Sequence, residues 1–339
     1  MNSKKKPIII KTSIKKHINK KTVNRATSNT SYTSPAIKWV GGKTQSLDQI
    51  NAIIPRKIIT FIEPFLGGGS VLLMLLDSAQ RGNISIENYI AADNNAFLIN
   101  MYNCIQNETS ELLTYLNALK SEFLSITSLN VTDKKTERSP TTLIQAMLSR
   151  ESYYYWQRNR YNKLTKTYKA GQHNNELAAL LIFLNKTGFR GMYREGPNGY
   201  NIPYGNYKNP KILEKDEIDY ISKLIKNVNF YNSDFSKSIE NIQEENNFIY
   251  LDPPYAPEND KSFVGYTKDG FDIKQHELLF ELTKKISDKN MIMMSNANVK
   301  LIRDNLSPGD YKYEVVSCRR AINSKNPGAK TEEVIITNY

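Results

Sequence analysis

Asp252-Pro253-Pro254-Tyr255 puts a carboxylate, a stiffened backbone and an aromatic face at one point of the chain. It follows directly on Asn247-Phe248-Ile249-Tyr250-Leu251, an apolar run that reads as a buried strand. Two prolines end strand pairing and restrict the backbone, so a defined turn is expected at the strand's C-terminal end. Such a turn suits one kind of chemistry. An amino group conjugated to an aromatic ring is a poor nucleophile, because its lone pair is delocalised. Hydrogen bonds from its N–H groups to the Asp252 carboxylate and the Pro253 carbonyl push the nitrogen towards tetrahedral geometry and aim the lone pair at an electrophile. Tyr255 holds the ring by its face. The remainder is proximity and electrostatics, with no covalent intermediate. Pro-Pro alone is equally a structural turn, and its weight comes from the acid, the aromatic and the preceding strand.

The elements that must position this turn are legible as a pattern. Lys57 to Pro64 reads as a buried strand, Gly67-Gly68-Gly69 as a turn, and Ser70 to Leu76 as an apolar helix start. A second strand, Tyr89 to Ala92, ends at Asp93, and a helix runs through Leu98, Tyr102 and Ile105. Strand, turn, helix, strand, acid, helix opens a doubly wound α/β sheet, whose ligands bind at the C-terminal edge of the strands. From about 105 to 210 helical stretches alternate with polar loops, and Leu177 to Leu184 reads as a buried helix. Strand-like runs return at Phe230-Tyr231, Asn247 to Leu251, Met291 to Met294 and Glu332 to Asn338. One α/β domain interrupted by a mostly helical insertion is the simplest reading.

Phe65-Leu66-Gly67-Gly68-Gly69-Ser70 lacks the G-x-G-x-x-G of a pyrophosphate-binding turn. S-adenosylmethionine has no phosphate and fits this turn better than a dinucleotide; a ligand-free tight turn fits too. Asp93, at the end of the next strand, either accepts hydrogen bonds from ribose hydroxyls or caps the following helix. Lys38-Trp39-Val40-Gly41-Gly42-Lys43 reads as a surface loop with a half-buried Trp, or as a cover in which Trp39 and Lys43 meet the methionine end of that cofactor. With a sulfonium methyl as electrophile, an exocyclic amine such as adenine N6 is a nucleophile that the Asp252 turn could activate.

The net charge of +12 is less informative than its location. Residues 1–34 hold eight lysines, one arginine and no acid, and read as a basic, disordered arm. The remaining 305 residues carry about +3. The arm is a tolerated tail, a DNA tether or, third, an organellar address. No run approaches the ~18 apolar residues of a membrane span. Cys104 and Cys318 have no metal or redox spacing, and Cys104 has no neighbouring proline of the kind a covalent cytosine mechanism needs. His17, His173 and His276 have no ligand or nucleophile spacing, so no metal is expected. No coiled-coil heptad is visible, and a cytoplasmic monomer in a bacterial or viral setting is expected.

The motifs in this order resemble the Dam-type DNA adenine-N6 methyltransferases (D12 class, alpha group). The resemblance runs from about Pro35 to Tyr339. It rests on Lys38 to Lys43, Glu63 to Ser70, Ala92-Asp93-Asn94, Asn185 to Arg194, Asp252 to Tyr255 and the closing Glu333 to Tyr339. It implies a Rossmann-like class I methyltransferase sheet over residues 35–104 and 211–339, with a target-recognition domain at 105–210. It implies S-adenosylmethionine contacts at Trp39, Lys43, Phe65, Gly67, Gly69, Asp93, Asp234, Phe235 and Asp252, with Asp234 and Phe235 at the cofactor adenine. Double-stranded DNA is the implied partner. The run Asn185 to Arg194, continued by Asn201 to Pro210, is similar to members that methylate adenine in GATC, although Arg190 stands where such members have Asn.

Physical reading of that segment agrees. Residues 185–213 hold Lys186, Arg190, Arg194, Lys208 and Lys211 against the single acid Glu195, and residues 150–171 are basic and interleaved with tyrosines. Lys186, Arg190, Met192, Arg194, Tyr204 and Lys208 are the candidate DNA contacts. Arg194 can grip a guanine edge, worth about 1–3 kcal/mol of discrimination. Phe189 or Tyr193 can fill the space left by a base that has turned out of the stack. A solvated basic face over core aromatics is the bland alternative. Ser262 to Phe271 reads as a loop closing over the base, and Arg319-Arg320 as a phosphate contact. Rival functions are adenine methylation in RNA, methylation of a protein amide, for which Asn in place of Asp252 is usual, and a catalytically silent DNA binder.

Overall fold

The runs read as strands form a seven-stranded sheet in the computed structural model, which describes residues 32–126, 137–256, 271–319 and 330–339. The chain begins with α1 (Leu47–Ile53), β1 (Lys57–Glu63), α2 (Ser70–Gln80), β2 (Ser85–Asp93) and α3 (Ala96–Asn107). The insertion follows as α4 (Thr109–Ser125), α5 (Leu143–Ala146), α6 (Arg150–Thr165) and α7 (Asn175–Thr187), then a small hairpin, β3 (Glu195–Gly196) and β4 (Gly199–Tyr200). The sheet resumes through α8 (Lys215–Leu224), β5 (Val228–Asn232), α9 (Phe235–Glu240), β6 (Phe248–Leu251), α10 (Ile273–Ser287) and β7 (Met291–Ala297). It closes with α11 (Lys300–Asn305), β8 (Lys312–Arg319) and β9 (Lys330–Thr337).

Strand order is β5-β2-β1-β6-β7-β9-β8. The first five strands are parallel, and β9 pairs antiparallel with both β7 and β8. The chain winds from β1 out to β2 and β5, then returns beside β1 with β6 and winds the other way to β7. The reversal leaves a crevice at the C-terminal ends of β1 and β6, the place where such sheets bind ligands.

β6 shows why both faces are covered. Phe248 and Tyr250 enter the core on one face, which takes side chains from α2, α3 and α7; Ile249 and Leu251 enter the other, with α9, α10 and α11. Parallel strands buried on both faces need such unbroken apolar runs. α7 is buried on every side and packs against α3, α4 and α6, so the core of the first face continues without a break into the insertion.

Two sequence expectations change here. The tyrosines of α6 are not an exposed aromatic surface: Tyr153, Tyr154 and Tyr161 are fully buried, and the Tyr154 hydroxyl donates to the Ile202 carbonyl at 2.9 Å. Burying each ring is worth about 1.5–3 kcal/mol, enough to outweigh any gain from displaying it. β8 was not anticipated, because this edge strand mixes charged and apolar residues and leaves Val315 exposed. The basic arm up to residue 31, the closing loop up to residue 270, Arg320 and the Arg319 side chain lie outside the described residues. Among those described, no helix is long and apolar enough to cross a membrane, and no group of His, Cys, Asp and Glu is placed to hold a metal ion.

Candidate active site and nucleic-acid face

Asp252 ends β6 at the crevice, where the prolines stop the ladder. Lys43 meets it from the N-terminal segment, its Nζ 2.6 Å from Asp252 Oδ1 and 2.7 Å from Oδ2, and the same Nζ donates to the Gly41 carbonyl at 2.6 Å. The lysine side chain is only 4% exposed. Burial raises the Asp252 carboxyl above its ordinary range, and the Lys43 ammonium acts against that shift. Lys43 Nζ also stands 4.9 Å from the centre of the Tyr255 ring, within cation–π range. The Tyr255 hydroxyl donates to Glu333 Oε2 of β9 at 2.7 Å. Just beyond, the Ala256 N–H donates to Oδ1 of the buried Asn296, at the end of β7. The turn that continues β6 is thus held by side chains from two other strands, β7 and β9, and from the N-terminal segment.

The glycine turn across the crevice is explained largely by protein side chains. Gly67 has φ +50° and Gly69 φ +68°, left-handed values that favour glycine. A Cβ on Gly67 would lie 2.9 Å from Trp39 Cδ1, and one on Gly69 would lie 2.5 Å from the Tyr102 hydroxyl. Trp39 therefore lies flat on the turn, and Tyr193 stacks on it at 4.8 Å. Asp93 is no helix cap. Its carboxylate accepts from Gly67 N–H at 2.9 Å and Asn95 N–H at 2.8 Å, tying the end of β2 to the turn after β1. Asn95 caps α3 instead, accepting from the Phe97 and Leu98 amides. Burial raises the Asp93 carboxyl, partly offset by those two amides.

Sequence reasoning overlooked Glu63. It is buried at the end of β1, and burial, with Asp252 and Asp93 nearby, pushes its carboxyl well up. Its Oε2 has no hydrogen-bond partner among the described residues. A buried unsatisfied acceptor is costly, on the order of 1–3 kcal/mol, so it marks a place where a ligand donor is wanted. The available signal was an acid ending an apolar strand beside the glycine turn.

Asp234 follows β5 and caps α9, accepting from Ser236 N–H at 2.9 Å. Phe235 beside it is buried and stacks on Phe65 at 5.3 Å, and Phe271 completes the aromatic group. The ends of β1, β2, β5 and β6 thereby bring Phe65, Gly67, Asp93, Asp234 and Asp252 to one edge of the sheet, where the N-terminal segment adds Trp39 and Lys43.

The basic segment lies beside it. Phe189 to Gly191 form one tight turn after α7, closed by the Met192 N–H donating to the Phe189 carbonyl at 3.3 Å and tied to the next loop by the Phe189 N–H donating to the Pro203 carbonyl at 2.8 Å. Phe189 is 44% exposed, and Arg190, Arg194 and Lys208 are also exposed. Arg190 sits at φ 57°, a left-handed conformation that Asn adopts more readily than Arg. Lys186 is half-buried, and burial pushes its ammonium down to about 8. Tyr193 departs from the expectation for a free ring. It is stacked on Trp39, packed against Tyr200, and its hydroxyl is bonded to Glu195. Tyr204 is packed against Phe123 and Tyr154, and Met192 is half-buried against the core. Of the two ring candidates for the vacated space, Phe189 is the exposed one.

A mostly parallel, doubly wound sheet flanked by helices, with Asp-Pro-Pro-Tyr at its switch point, is the arrangement of a Rossmann-like methyltransferase. Residues 39–322 match the family model described as D12 class N6 adenine-specific DNA methyltransferase, and the chain belongs to that family. It is 34% identical over 315 residues to the type II methyltransferase M.MjaIII of Methanocaldococcus jannaschii, covering 90% of this chain and 99% of that one. It is 31% identical over 307 residues to the DNA adenine methylase of Haemophilus influenzae (89% and 92%) and 28% identical over 306 to that of Escherichia coli K12 (89% and 94%). The protein is an adenine-specific DNA methyltransferase.

Proposed function

We propose that this chain transfers a methyl group from S-adenosylmethionine to N6 of an adenine turned out of duplex DNA, within GATC, into the crevice between β1 and β6. The observation that carries the reading is the ion pair of buried Lys43 with half-buried Asp252 heading the Asp-Pro-Pro-Tyr turn, at the crevice that the glycine turn also borders. The amine donates to Asp252 and to the Pro253 carbonyl, Pro254 stiffens the turn, and Tyr255 presents a ring to the base. Burial raises the Asp252 carboxyl, and the Lys43 cation beside it acts the other way and favours the ionised, hydrogen-bond-accepting form.

The cofactor fits the polar groups present. Glu63 Oε2 lacks a donor, Asp93 is a fixed carboxylate, and Lys43 is a buried cation, against an amino group, ribose hydroxyls and a carboxylate. Trp39, Gly67 and Gly69 line the turn, and Phe65, Asp234 and Phe235 receive the adenine ring. When bound, S-adenosylmethionine supplies a methyl group on a positively charged sulfur.

Residues 105–210 act as the target-recognition domain. Lys186, Arg190 and Lys208 meet phosphates, Arg194 a base edge, and Phe189 fills the vacated stack. GATC rests on the likeness of Asn185 to Arg194 and Asn201 to Pro210 to members with that target.

The test is transfer of labelled methyl to duplexes with and without GATC, and to RNA, with Asp252→Ala as control. GATC-dependent labelling, reduced about 10²-fold or more in the variant, is expected. Equal labelling of both duplexes would overturn the target; labelling of RNA alone would overturn the substrate.

A further inference from the structure

β9 runs antiparallel to β7, so its N-terminal half lies at the C-terminal edge of the parallel strands, with Glu333 opposite Ala297. That brings Glu333 to Tyr255, 78 positions earlier, and the hydroxyl donates to Glu333 Oε2 at 2.7 Å. The tyrosine is then constrained at both ends. Its backbone belongs to a turn stiffened by two prolines and tied to Asn296 through the next amide. Its hydroxyl is held by a carboxylate. The Lys43 ammonium stands over one face of the ring, so a base stacking on Tyr255 would meet the opposite face. A ring on such a tether cannot turn edge-on to its ligand without breaking a charge-assisted hydrogen bond.

We propose that Glu333 is a positioning residue for methyl transfer: it tethers the Tyr255 hydroxyl so that the ring presents the face opposite Lys43 to the target adenine. The proposal rests on the stacking role given to Tyr255 above. Burial, together with the Asp252 and Glu333 charges, drives the phenol far above its ordinary range, so the hydroxyl stays a donor at any working pH. Phenylalanine at 255 stacks but cannot be tethered, and glutamine at 333 still offers an acceptor.

These differences make the test. Single-turnover methyl transfer is measured on the full chain with duplex DNA, alongside the fluorescence of 2-aminopurine at the target position and the Kd for S-adenosylmethionine. Glu333→Ala and Tyr255→Phe are each expected to slow transfer about tenfold, and Glu333→Gln by no more than about threefold. The double variant Tyr255→Phe/Glu333→Ala is expected to be no slower than either single variant, because both remove one interaction. The 2-aminopurine signal changes in Glu333→Ala while the cofactor Kd does not. Wild-type transfer by Glu333→Ala, multiplied losses in the double variant, or Glu333→Gln as slow as Glu333→Ala would each overturn the proposal. Tyr255→Ala separates the two layers. Full activity there removes the stacking role itself, whereas a slow Tyr255→Ala beside a fast Glu333→Ala overturns only the tether.

Discussion

Asn185 and Lys38, 147 positions apart, are joined by two hydrogen bonds: Lys38 N–H donates to Asn185 Oδ1 at 2.9 Å, and Asn185 Nδ2 donates to the Lys38 carbonyl at 2.8 Å. The same Nδ2 donates to the Gly191 carbonyl at 2.9 Å. One buried amide thus fastens the segment carrying Trp39 and Lys43 to the loop carrying Phe189 and Arg190. The Trp39–Tyr193 stack reinforces the junction.

Asn185→Ala therefore leaves buried backbone groups without partners and is expected to destabilise the fold by about 3 kcal/mol. DNA affinity should fall with it, because the loop loses its anchor. Thermal unfolding and DNA titration of the same preparation check this, and an unchanged melting temperature would show that the amide fastens nothing.

Lys43→Met removes the cation that opposes the upward shift of Asp252, while the acids Glu63 and Glu333 remain facing it. The Asp252 carboxyl then rises further. Since the ionised carboxylate is the form that accepts the amine N–H freely, the other going to the Pro253 carbonyl, the acid limb of the rate–pH profile should move to higher pH. Stability should fall by about 3 kcal/mol, as for other broken buried pairs. An acid limb that stays in place would assign the titration to another group.

Phe189→Ala removes an exposed ring with few internal contacts, so stability should change by no more than about 0.5 kcal/mol. Stacking in the DNA complex should weaken by about 1–3 kcal/mol. The fluorescence rise of 2-aminopurine at the target, which reports extrusion, is the measurement. A full rise in the variant would return the role to another side chain.

His276 is buried on α10 against Phe271 and Phe280, and burial pushes its imidazole down to about 4. The unfolded chain protonates first, near the ordinary value of about 6.5. Stability from the neutral ring is complete above that value and is lost as pH falls towards 4. Between pH 7 and pH 5, wild type should lose about 2 kcal/mol more than His276→Phe. Parallel stability curves for the two proteins would show that another group carries the acid sensitivity.

The Asp252 to Tyr255 turn, the glycine turn and Asp93 were legible because they depend on local features: a strand's apolar run, a proline stop, a glycine between strand and helix. Their order along the chain also implied the winding of the sheet. What the chain does with its aromatics was not legible. Tyr153, Tyr154 and Tyr161 look like a nucleic-acid surface as letters, yet α7 lies against them and they are core. Phe189 and Tyr193 are interchangeable in sequence, and only the Trp39 ring beside Tyr193 separates them. The same holds for Asn185, for Lys43 with Asp252 and for Glu333 with Tyr255, whose partners lie 147, 209 and 78 positions away. Local periodicity carries no record of such distances. The strand order, and above all the reversed β9, decided which distant polar groups would share a buried space and therefore had to satisfy one another.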